Sequence, residues 1–130
     1  MAELHVDVRV AAGSLAGDVA PTYVVPHQWT DSGIAVEGGG TGAHMLLTAV
    51  ASCVLNDVFR EAQPGIPVSG VLIEASGDFD ATTWATTSID YAVVVDSTED
   101  ADVIAQLLQG VDAVAEIPRA VAGQVTVGRR

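Results

Sequence analysis

The stretch Ala43 to Ala62 contains neither glycine nor proline, and it is bracketed by Gly38-Gly39-Gly40-Thr41-Gly42 on one side and Gln63-Pro64-Gly65 on the other. Breakers at both ends of an uninterrupted run of good helix formers predict one long helix, with Thr41 as its N-cap. The run is apolar on nearly every side through Leu55 and turns polar only with Asn56, Asp57, Arg60 and Glu61. A helix with no polar face must be covered all round. Its first half is therefore expected to be buried on most sides, as the central element of whatever fold forms.

The flanking segments read as strands. Leu4, Val6, Val8 and Val10 alternate with His5, Asp7 and Arg9, the period of a strand with one buried face. Shorter strands are expected at Thr22 to Val25 and Gly33 to Val36. After the helix, Val71 to Phe79 and Ile89 to Val95 alternate again and pair as a hairpin through Asp80 to Thr87. Ser97-Thr98-Glu99-Asp100 opens a second helix with Val103, Ile104, Leu107, Leu108 and Val111 on one stripe, and Gly110 is expected to kink or break it. The segment continues to Glu116 and Pro118, and Gly123 to Val127 is expected as a final strand. Alternating βαβ units are not evident, so the class is α+β, in a single domain spanning 1–130.

Charge narrows the functions. Seventeen acidic residues stand against Arg9, Arg60, Arg119, Arg129 and Arg130, with no lysine, for a net charge of −12. Schiff-base and P-loop chemistry both need a lysine. Nucleic acid as a partner is disfavoured, because backbone affinity needs clustered cations and the only adjacent pair is Arg129-Arg130. The beginning of the chain lacks the basic and apolar regions of a secretory signal, and the longest apolar stretch, Met45 to Leu55, is too short to span a bilayer. A cytoplasmic location with no membrane partner is the expectation, and a lone cysteine suits a reducing compartment.

That cysteine is Cys53, in the middle of the long helix. A small thiol in an apolar helix is commonly just a packed core residue. Reactivity requires a nearby cation or base. Arg60 lies two turns on, about 10 Å along the axis, and is expected to pair with Asp57 or Asn56 instead. His44 is nine residues earlier, roughly 13 Å away and on the opposite side of an ideal helix, so it could meet a thiol only across an interface. His5, His27, His44 and Cys53 match no metal-ligand spacing, and neither a metal nor a cofactor is expected. Gly38-Gly39-Gly40 without a lysine reads as a flexible helix entry rather than a phosphate cradle.

The segment Gly39-Gly40-Thr41-Gly42-Ala43-His44-Met45-Leu46-Leu47-Thr48-Ala49-Val50-Ala51-Ser52-Cys53 resembles the Gly-rich entry and Leu/Ala-rich helix, ending in Ala-x-Cys, of the OsmC/Ohr family of small thiol peroxidases. Gly65 to Val71 and Val114 to Pro118 are similar to later elements of that family. The resemblance implies an intertwined homodimer in which two long central helices are wrapped by antiparallel sheets, with sites at the subunit interface. There a second chain could bring His44 or His27 to Cys53. It implies a reactive thiol at Cys53, activated by an arginine that a helix-entry glutamate orients, and resolved as the sulfenic acid by a second cysteine. The sequence departs from this pattern: the glutamate position falls at Ala43 or His44, the second cysteine falls near Glu116 or Ile117, and no arginine lies between Arg9 and Arg60.

Three readings follow. The first is an oxidoreductase that reduces an organic hydroperoxide with Cys53 alone and an external thiol reductant. In the second, Cys53 or a histidine acts on a small organic metabolite in the same interface cavity. The third is a non-enzymatic ligand-binding or structural dimer. Cys53, His44, His27 and Arg60 are the candidate catalytic residues.

Overall fold

The computed structural model describes residues 3–130. The first strand, β1 (Glu3–Gly13), is followed by a short 3-10 turn and by β2 (Tyr23–Val25) and β3 (Ile34–Glu37). The long helix α1 (Gly42–Ala62) comes next, then the hairpin strands β4 (Gly70–Asp80) and β5 (Thr86–Asp96). Two helices, α2 (Ala101–Val114) and α3 (Glu116–Val121), precede the last strand β6 (Thr126–Arg129). All six strands form one sheet in the order β2-β3-β1-β4-β5-β6. The α+β class and the central helix are as the sequence implies.

The alternation in β1 does what period-2 patterning predicts. Val8 and Val10 are fully buried while His5 and Asp7 face outward, and the strand pairs antiparallel with both β3 and β4. The β4–β5 hairpin turns through Asp80, whose Oδ1 accepts from the N–H groups of Thr82 and Thr83 at 2.7 and 3.0 Å. Trp84 in that turn has φ 61°, the left-handed region that a bulky side chain rarely occupies.

Three expectations change. The second helix does not break at Gly110: it runs through to Val114, and a β-carbon at Gly110 would meet open space, so the glycine is simply an exposed helical position. The break falls at Ala115, and α3 then takes Pro118 into its first turn, where a missing N–H removes no helical bond. The last strand starts at Thr126, later than expected, and pairs parallel with β5. The sheet therefore contains one βαβ crossover, from β5 through α2 and α3 to β6, which short-range periodicity could not show.

The third change concerns α1. Thr41 caps it as predicted, its Oγ accepting from the His44 N–H at 3.2 Å. Its burial begins later than expected and, within one chain, is one-sided. Between Gly42 and Ala49 only Leu47 is buried, whereas Val50, Val54, Leu55, Val58 and Phe59 form the core against β1 and β4. One sheet layer covers one side of a helix, and α2 and α3 flank it without closing the rest. An open stripe remains: Met45, 55 % exposed, then Ala49, Ser52, Cys53 and Asn56. By length and composition α1 could cross a membrane, but its second half is the core of this domain.

Candidate functional site

Cys53 is a free thiol, half-buried at the edge of the open stripe of α1. Across from it the sheet presents Tyr91, which is 3 % exposed. In the parallel β5–β6 pair Tyr91 stands opposite Arg129, and both side chains converge on Asp112 of α2. The phenol donates to Asp112 Oδ1 at 3.3 Å. Arg129 Nε lies 3.1 and 3.0 Å from the two carboxylate oxygens, with a further contact of 2.9 Å to Oδ2. Burial above all, then the Asp112 charge and hydrogen bond, pushes the Tyr91 hydroxyl up to about 12, and a smaller part comes from Cys53 itself. The thiol and the phenol are thus electrostatic neighbours. Tyr91 stays protonated at any ordinary pH and can act only as a hydrogen-bonding group.

The four candidates from the sequence are not brought together. Arg60 points away from the thiol, 3.0 Å from the buried Asp57 carboxylate and 3.3 Å from Glu61. The expected pairing with Asp57 is what forms. His44 sits at the first turn of α1 with Nδ1 2.6 Å from Thr41 Oγ, and it lines a cavity of about 510 Å³ that does not include Cys53. His27 comes closer. The β2–β3 loop lays its ring edge-on against Phe59, with centroids 5.3 Å apart, beside Asn56 on the turn that follows Cys53.

His27 is bound on one side only. Its Nδ1 is 2.8 Å from Thr30 Oγ, while its buried Nε2 has no hydrogen-bond partner among the described residues. Burial lowers its pKa below the ordinary 6.5; the Asn56 amide pulls the other way, without the geometry of a formed hydrogen bond. The result is a neutral imidazole with one free nitrogen.

Cations are scarce at the thiol. Arg9 is paired with Glu37, Arg60 with Asp57 and Glu61, Arg129 with Asp112, and Arg130 with Glu74 and Asp90. Arg119 instead donates to the carbonyls of Ala115 and Val114 at the end of α2. It shares a groove with Tyr91, Asp112 and Arg129. Among the described residues no group of three or more His, Cys, Asp or Glu side chains is placed to hold a metal.

Comparison by sequence finds no matching family model and no matching curated protein. Comparison by structure does find matches. An OsmC-like protein from Mycoplasma pneumoniae superposes with a TM-score of 0.63 at 16% identity, over 78% of this chain and 82% of that one. The chain has the OsmC-like fold. An OsmC-like hydroperoxide resistance protein from a Jannaschia species matches with a TM-score of 0.60 at 10% identity, covering 92% of this chain and 87% of its own. The organic hydroperoxide resistance protein OhrB of Bacillus subtilis matches with a TM-score of 0.54 at 12% identity, covering 83% and 93%.

Within this OsmC-like fold, Tyr91, Asp112 and Arg129 are the residues that the sequence did not single out. Tyr91 was legible only as a position in the Ile89 to Val95 strand, and Arg129 only as half of a basic pair. The signal that joins them is the parallel register of β6, a tertiary fact.

Proposed function

We propose that this chain reduces organic peroxides through Cys53 alone, in a dimer whose second copy covers the open stripe of α1. The observation that carries the reading is the placement of the thiol: a half-buried Cys53 at the edge of an apolar helix face that the chain's own elements leave uncovered, in an OsmC-like fold. Only 44 % of the most apolar stretch of α1 is buried within one chain. A second copy laid along it would cover Met45 and Ala49. Two of the structural neighbours are hydroperoxide resistance proteins, which supports the choice of substrate class.

The chemistry balances with two external thiols. The Cys53 thiolate attacks the terminal oxygen of ROOH, the O–O bond breaks, and the RO⁻ fragment takes a proton and leaves as ROH. The sulfur is then a sulfenic acid. One external thiol condenses with it to release water and form a mixed disulfide, and a second attacks that disulfide to regenerate the Cys53 thiol. No second cysteine is required. Tyr91, held by Asp112, and a histidine are the groups available to hydrogen-bond the reacting oxygens or the sulfur.

Stopped-flow consumption of cumene hydroperoxide with dithiothreitol as reductant tests the reading. It requires a rate above that of free cysteine, abolished in Cys53→Ser. A rate no faster than free cysteine would sink it. Light scattering at micromolar protein tests the dimer separately.

A second reading has one observation behind it, the buried His27 Nε2 without a partner. A neutral imidazole of lowered pKa can act as a general base on a small organic metabolite. His27→Gln would then abolish turnover of that metabolite and leave peroxide consumption unchanged.

A further inference from the structure

At the end of the sheet remote from the Tyr91 network, the first turn of α1 and the β4–β5 hairpin enclose the cavity of about 510 Å³. Its walls are Leu4, Val6, Leu46, Phe79 and Trp84, with His44 as the only titratable side chain among the described residues. That volume falls within the range of small-molecule sites, roughly 300 to 1,000 Å³, and the apolar lining is of the kind such sites have. Trp84 and Leu4 are 70 % and 43 % exposed, large apolar groups left at the mouth with no core to join. The left-handed φ of Trp84 shows that the hairpin holds this ring in place against backbone preference.

The polar groups set the chemistry of the occupant. Thr41 Oγ accepts from the His44 backbone N–H at 3.2 Å and lies 2.6 Å from Nδ1; when the hydroxyl donates to Nδ1, the ring proton sits on Nε2. Nε2 has no hydrogen-bond partner among the described residues. Gly39 belongs to the same arrangement, since a β-carbon there would lie 2.8 to 2.9 Å from the imidazole atoms. The cavity wall also includes Gly42 and Ala43, at the start of α1, where amide N–H groups have no helical acceptor. The amide N–H groups of the first turn are donors, and the Thr41 and Thr86 hydroxyls that also line the cavity can donate or accept. Among the described residues no carboxylate, lysine or arginine lines the cavity, and the net charge of −12 repels anions.

We infer that this cavity binds a neutral, largely apolar molecule carrying one acceptor oxygen, a ketone, ester, ether or alcohol, with that oxygen on His44 and the first turn of α1 and the apolar body against Phe79 and Trp84. The inference does not rest on the thiol reading, because Cys53 does not line the cavity.

The probe for the test is 6-propionyl-2-dimethylaminonaphthalene, a neutral aryl ketone whose emission shifts to the blue in apolar surroundings. Saturable binding with a blue shift is expected. His44→Leu should weaken it about fivefold to tenfold, the scale of one lost hydrogen bond. Trp84→Ala, at an exposed position where folding is not at stake, should weaken it by at least a similar factor. Cys53→Ser should leave it unchanged. The 6-carboxylate analogue of the probe should bind more weakly. Absence of saturable binding, or binding indifferent to both His44→Leu and Trp84→Ala, overturns the site. Equal affinity for the carboxylate overturns the ligand class, and loss of binding in Cys53→Ser would place the probe at the thiol instead. Probe binding without peroxide turnover would count against the thiol reading alone.

Discussion

Arg129 stands opposite Tyr91 in the β5–β6 pair, and the two side chains close on the same carboxylate, Asp112, from β6 and from β5. This makes Asp112 the group that decides how much of the Arg129 charge reaches its surroundings. In Asp112→Asn the arginine loses its counter-charge and the phenol loses the two raising influences that follow burial. The Tyr91 hydroxyl should then titrate below its value of about 12, measured by the ultraviolet absorbance of tyrosinate. Tyr91→Phe, which deletes one hydrogen bond and keeps the ring, should cost about 0.5 to 1.5 kcal/mol in chemical denaturation.

Gly77 of β4 lies under Leu47, the one buried residue between Gly42 and Ala49; a β-carbon there would be 3.0 Å from Leu47 Cδ2. Gly77→Ala should therefore destabilise the fold by about 1 to 3 kcal/mol through overpacking. Leu47→Ala alone should cost about 2 to 5 kcal/mol as a cavity. The double variant should be more stable than the sum of the two single losses, because the new methyl fills part of the space left by the leucine. Additivity within about 0.5 kcal/mol would show that the two residues do not share that space.

His27 should titrate below 6.5 in the folded protein, because its ring is buried against Phe59 and only Nδ1 is bonded. The unfolded chain binds this proton more readily than the folded one. Its contribution is therefore fully present above about pH 6.5 and is lost as pH falls through the lower folded value. His27→Phe should flatten the slope of stability between pH 5 and 7. Its effect at pH 7.5 should stay within about 1 kcal/mol, since the Thr30 hydrogen bond is lost together with an unpartnered buried nitrogen. An unchanged slope would mean that His27 ionises freely in the native state.

The parts of the fold governed by local rules were legible in the sequence. Thr41 as cap, the turn from Asp80 onward, and the burial of Val8 and Val10 all follow from neighbours a few residues apart. What was not legible depends on elements meeting across the chain. The apolar character of Met45 and Ala49 says that these residues seek cover, but not that the chain's own sheet fails to provide it. The Arg60 partner could be read from its spacing to Asp57 on one helix. The Arg129 partner could not, because a parallel strand must first be placed beside Tyr91. His27 was legible as a residue type and not as a neighbour of Phe59, for the same reason.

The outer face of the sheet supplies the last prediction. His5 is held between two carboxylates, with Nε2 2.9 Å from Asp7 Oδ1 and Nδ1 2.7 Å from Asp78 Oδ1. Its pKa is raised above 6.5, by the Asp78 hydrogen bond first and the Asp7 bond after it. Asp78 is lowered chiefly by His5, and Asp7 chiefly by Ser76. The stabilisation from the imidazolium is fully present below about pH 6.5 and is lost as pH rises through the raised value, the opposite of His27. The carboxylates contribute above about 3.8 and lose their share as pH falls through their lowered values, so the cluster helps most between those limits. In a histidine NMR titration, Asp78→Asn should lower the His5 midpoint more than Asp7→Asn does. Because all three groups are solvent-exposed, 1 M salt should move the wild-type midpoint back toward 6.5. Equal effects from the two variants would mean that the ring is not seated on Asp78 in preference to Asp7.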